Sequence, residues 1–149
     1  ELFKFGAAYV VALRSSDDDE PIDPLIYMIT AALGFVALEN TLFIWNPLLE
    51  QNATAALLAG GSRFLGASLL HIVASGAIGV SLAFSFYKLR AIKFRWALFG
   101  LIVAVAIHTA FNLLILNNFG SSTLAVFALV WVGVAGLLLF FEKVKTIAP

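Results

Sequence analysis

The chain of 149 residues has no cysteine, only two histidines, and few charged residues. Without cysteine there is no disulfide and no cysteine-ligated zinc or iron–sulfur site. Only 12% of the residues are charged, about half the share usual in a soluble globular chain. Nine basic and nine acidic residues cancel, which argues against nucleic acid as a partner. The first residues have neither a basic n-region nor a small-residue cleavage site, so they do not read as a signal peptide. Internal repeats and low-complexity tracts are also missing.

What is present is apolar. Hydrophobic residues make up 62% of the chain and the mean hydropathy is +1.00. A globule of this size cannot bury so much apolar surface, so lipid must be its solvent. The expected fold is all-α, a polytopic membrane helix bundle of about five transmembrane helices. Residues 2–13 are too few to span a bilayer. The chain starts at Glu1 in helical pattern with no initiator methionine, and reads as an N-terminally incomplete fragment forming a single membrane-embedded domain over 1–149.

Residues 14–24 form a charged loop, with Asp23 as helix cap and Pro24 as first helical residue. A helix over about 25–45 should end at Asn46-Pro47. Residues 48–61 predict a short interfacial helix or re-entrant turn closed by Gly60-Gly61. Ser62 would cap the next helix, over about 63–87, where Ser75, Gly79 and Ala83 allow close helix approach. A basic loop follows at 88–95, then helices over about 96–116 and 123–141. Seven of the nine Lys and Arg residues then share one side with the 88–95 loop and the C-terminus, which predicts that side to be cytoplasmic.

Polar residues interrupt the apolar segments at Glu1/Lys4, Glu39-Asn40, Arg63/His71 and His108/Asn112. Counting 1.5 Å per residue from each cytoplasmic helix end places Glu1, Glu39, His71 and His108 at roughly 20, 21, 24 and 18 Å. Four ionisable groups on four helices thus share one layer in the exoplasmic half. An ionised carboxylate at that depth costs several kcal/mol unless it faces a cavity or a partner. Glu1 and Lys4 are i, i+3; His71 and Ser75, and His108 and Asn112, are i, i+4, so each pair shares a helix face. No Ser-His-Asp arrangement and no HExxH zinc spacing occurs. Glutamate with two histidines, an amide and a lysine suits water activation by a carboxylate, with imidazole and amide stabilising an oxyanion or holding a metal. The alternative is that each group is satisfied separately, Glu39 by Lys4 or Arg63 and each histidine by a neighbouring helix. Mid-membrane Glu and His also suit a proton-coupled transporter, though no inverted repeat supports one.

The stretch Glu1-Leu-Phe-Lys4, then Phe35-Val-Ala-Leu-Glu39, His71 with Ser75 four residues on, and His108-Thr-Ala-Phe-Asn112 resembles the PrsW family of intramembrane proteases. That family is placed within the type II CAAX prenyl endopeptidase and Abi superfamily. The resemblance implies hydrolysis of a peptide bond in a membrane-anchored protein substrate, in a prokaryotic plasma membrane. It implies catalytic roles for Glu1, Lys4, Glu39, His71, His108 and Asn112. In the metal version Glu39, His71 and His108 would be the ligands and zinc the metal. One departure is that the first glutamate of the family's EExxK motif would precede Glu1. A non-catalytic scaffold of the same superfamily is the other reading the resemblance allows.

Overall fold

The computed structural model describes residues 1–117 and 123–149. Its elements are α1 (Leu2–Val11), α2 (Asp23–Leu49), α3 (Ala53–Arg63), a π-helical turn (Phe64–Ser68), α4 (Leu69–Phe84), α5 (Arg90–Asn117) and α6 (Thr123–Val144). Among the described residues, four helical segments are long and apolar enough to cross a membrane: Asp23–Leu49, Gly66–Phe84, Arg90–Ile115 and Leu124–Val144. The shorter Leu2–Val11 is apolar but too short. The fold is the expected all-helical membrane bundle.

The α4 segment is the hub. Within the bundle 61% of its span is buried, against 22% for α2, 17% for α5 and 11% for α6. Small residues make this possible, because helices in lipid gain from close backbone packing more than from apolar burial. A Cβ on Gly79 would lie 2.6 Å from Leu25 Cα, so α2 crosses α4 there backbone to backbone. A Cβ on Gly100 would lie 2.8 Å from Ser81 Cβ and 2.9 Å from Ile78 Cα, the matching approach of α5. Ala8, Met28, Ala74, Ile78 and Ala104 join α1, α2, α4 and α5 in one core. Leu70, Phe111, Val126 and Val130 join α4, α5 and α6 in a second.

Helix ends differ from expectation at three places. Asn46-Pro47 does not end α2, because a proline in the last turn removes one hydrogen bond there and only biases the residue before it. The helix ends instead in a Schellman arrangement. Gln51 takes φ 56°, its N–H bonds to Leu48 O at 3.0 Å, and Asn52 N–H bonds to Pro47 O at 2.9 Å. Nor do Gly60-Gly61 form a re-entrant turn. Asn52 Oδ1 caps α3 by accepting from Ala55 N–H at 3.0 Å, and α3 runs on through both glycines. The cost of two helical glycines, about 1 kcal/mol each, is offset at Gly60 by close contact with Ile44. Ser62 therefore lies inside α3, and its side chain, like that of Arg63, is outside what the structure describes. The basic stretch Arg90, Lys93 and Arg95 forms the first turns of α5, with Leu89 O accepting from Ile92 and Lys93 N–H. Expected helix breakers at Asn118 and Gly120 lie outside the described residues.

Candidate active site

The site forms where α1, α2 and α5 meet the first half of α4. Lys4 follows Glu1 by one helical turn, so the two side chains meet in an ion pair. Both are nearly sealed, with side-chain exposures of 1% for Lys4 and 2% for Glu1. Lys4 Nζ also lies 3.0 Å from His71 Nδ1 and 5.4 Å from the centre of the Phe35 ring. Glu1 Oε1 lies 2.8 Å from His108 Nδ1, and Glu1 Oε2 accepts from Ser75 Oγ at 3.1 Å. On the other edge of the His71 ring, Nε2 lies 3.0 Å from Glu39 Oε2. The two imidazoles stack edge to face, centres 4.7 Å apart.

These contacts assign protons. An ammonium only donates, so His71 Nδ1 accepts from Lys4 and Nε2 carries the hydrogen donated to Glu39. His108 Nδ1, facing a carboxylate, is likewise the donor. Glu1 thus takes hydrogen bonds from Lys4, Ser75 and His108, the full satisfaction a buried carboxylate needs. Glu39 is different: its side chain is 29% exposed, and that of His108 is 24% exposed. The site is closed around Glu1 and open toward Glu39 and His108.

A family model described as PrsW family intramembrane metalloprotease matches residues 1–139. The chain belongs to the PrsW family. Neither a curated protein nor a solved structure matches it.

Of the residues singled out from sequence, the PrsW-family structure brings Glu1, Lys4, Glu39, His71 and His108 into one connected cluster. Asn112, one turn beyond His108, is exposed. Two further participants lacked a place among those residues. Ser75 was visible only as the i, i+4 partner of His71, and its bond to Glu1 gives that spacing its meaning. Phe35, one turn before Glu39, places its ring 5.4 Å from the His71 ring and under the Lys4 ammonium, where a cation is attracted to an aromatic face.

Glu1, His71 and His108 each offer one donor atom, all within 4.8 Å of one another. A carboxylate oxygen and two imidazole nitrogens form a donor set that zinc accepts. The trio holds Glu1 where the sequence reading had Glu39, because Glu39 sits on the outer edge of His71. That outer place is itself characteristic of metal sites, where a ligating histidine donates its other N–H to a carboxylate. The residues therefore fit a divalent cation, with one condition. The Lys4 ammonium and the Nδ1–H of His108 face Glu1, and a bound cation would take their place.

Proposed function

We propose that this protein hydrolyses a peptide bond of a membrane-anchored protein, with Glu39 as the general base that activates water. The observation that carries this reading is the contrast between the two carboxylates. Glu1 is sealed and accepts three hydrogen bonds, whereas Glu39 is partly exposed and faces the Nε2–H of His71. A general base must lie within hydrogen-bond reach of the water it deprotonates, and of the two carboxylates Glu39 is the one on the open side. Glu1 then acts as a fixed negative charge that sets the tautomer and orientation of His108. The amide of the exposed Asn112, one turn beyond His108, offers a donor to the carbonyl oxygen as it gains charge, the interaction that lowers such barriers most, while His108, its Nδ1–H held by Glu1, presents Nε2 as an acceptor. Glu1, His71 and His108 would hold a divalent cation such as zinc, which when bound would polarise the substrate carbonyl and water.

The substrate class follows from the surroundings. An apolar cleft of about 280 Å³ lies between α5 and α6, floored by Leu70 and Val73 and walled by Ile107, Phe111, Val126 and Val130. Leu70 and Ile107 immediately precede His71 and His108, so the cleft suits the apolar flank of a membrane-embedded substrate. The distribution of Lys and Arg supports a membrane orientation with residues 88–95 and the C-terminus cytoplasmic.

The test is cleavage of single-pass reporter proteins in proteoliposomes. His108→Ala and Glu1→Gln each abolish cleavage while the protein stays inserted. A chelator lowers the unfolding temperature and zinc restores it if the cation is held. Full activity in His108→Ala removes that ring from the site.

A further inference from the structure

Asn40 follows Glu39 on α2 but engages a different partner. Its Nδ2 donates to Ser68 Oγ at 3.0 Å, and Ser68 is 6% exposed. Ser68 closes the π-helical turn and precedes His71 by one turn of α4. Two consecutive residues of α2 thus grip two points on α4, Glu39 on His71 and Asn40 on Ser68.

Among the described residues apolar packing is thin in this part of α2, where the close contact of Ile44 with Gly60 lies more than a turn beyond Asn40. The buried residues of α2 are Pro24, Leu25, Met28, Ala32 and Val36, all before Glu39. Beyond them Leu38, Leu42, Phe43 and Trp45 are exposed. Between helices in lipid, apolar contact gives little preference for one rotation over another, while an interhelical hydrogen bond does. Ser68 is in turn anchored from the far side. The π-turn adds a residue to the helical cycle, a device common at functional sites. Gly66 within it leaves no room for a side chain, since a Cβ there would lie 2.1 Å from Phe127 Cε1 of α6.

We infer that Asn40 and Ser68 form a positioning latch that sets the rotation of α2 and so aims the Glu39 carboxylate at His71 and the reacting water. Neither residue touches the substrate; both act through Glu39. The inference rests on the reading of Glu39 as general base. Small displacements of a reacting group matter, a misplacement of about 1 Å costing up to about a hundredfold in rate.

The full chain in proteoliposomes carries Asn40→Ala, Ser68→Ala, both together, and Ser68→Thr, each in the wild-type and Glu39→Gln backgrounds. The expected result is about a tenfold loss of kcat in each single variant, with KM unchanged and Ser68→Thr active. The double variant is no worse than Asn40→Ala alone, because that change already removes the bond to Ser68. In the Glu39→Gln background neither alanine lowers the residual rate further. Losses that multiply in the double variant, or that persist without Glu39, overturn the latch. A second readout does not need activity: the infrared carboxylate band of Glu39, identified by difference from Glu39→Gln, shifts in both alanine variants and not in Ser68→Thr. An unshifted band overturns the latch. A shifted band with no cleavage by the wild type supports the latch while removing the protease reading.

Discussion

Gly79→Ala adds one methyl group at the closest approach of α2 to α4. That methyl carbon would lie 2.6 Å from Leu25 Cα and 3.0 Å from Pro24 O, both backbone atoms. A relaxed carbon–carbon contact is about 3.5–4.0 Å, so α2 must retreat by about 1 Å. Overpacking of this kind costs about 1–3 kcal/mol, and replacing a helical glycine returns up to about 1 kcal/mol. The net expectation is a loss of about 1–2 kcal/mol, with a fall in cleavage because α2 carries Glu39. Two other glycines calibrate the result. A Cβ on Gly34 meets nothing within 4 Å, so Gly34→Ala is neutral or slightly stabilising. A Cβ on Gly76 meets Leu137 Cδ1 and Cδ2 at 2.7 Å, side-chain ends that can turn aside, so its cost falls between. Reversible unfolding in mixed micelles ranks the three. If Gly79→Ala is as stable as Gly34→Ala, the backbone contact between α2 and α4 does not organise the bundle.

Two further predictions concern the loop before α2 and the orientation. Asp18, in the loop between α1 and α2, has a buried Oδ1 with no hydrogen-bond partner. Burial pushes its carboxyl up to about 6, helped by Asp23 and Asp19 and opposed by Lys93. A carboxyl raised above its unfolded value favours folding when protonated, so the penalty is absent below about pH 4, grows toward pH 6 and is complete above it. Asp18→Asn therefore stabilises the protein at pH 7.5 by about 1 kcal/mol, reduced for partial exposure, and leaves it unchanged at pH 4. Thermal unfolding at the two pH values checks the sign. For orientation, Ala91→Cys is labelled from the cytoplasmic side only and Gln51→Cys from outside intact cells; the reverse pattern inverts the topology.

Composition and helical spacing were enough to read the bundle, because a chain this apolar has one solvent and few architectures. Depth was equally readable: counting rise along each helix put Glu1, Glu39, His71 and His108 at one level, and they meet there. Rotation was not readable. Nothing in the spacing says which edge of His71 meets Glu39 and which meets Lys4, because that depends on how far α1 and α2 are turned against α4. The π-helical turn adds a rotation that no local signal announces, and the contact of Ser68 with Asn40 depends on it. The ends of α2 and α3 depart from what Pro47 and Gly60-Gly61, as local helix breakers, predict. In the bundle a Schellman turn at Gln51 and packing of Gly60 on Ile44 outweigh those preferences.

The most direct test of the account is cleavage of a membrane-anchored reporter in water enriched in oxygen-18, comparing wild type with Glu39→Gln. Activated water should leave its label in the new carboxyl terminus of the wild-type product, and Glu39→Gln should yield labelled product only at a small residual rate although it is inserted and stable. Cleavage by Glu39→Gln at the wild-type rate with the same labelling would contradict the assignment of Glu39 as the base.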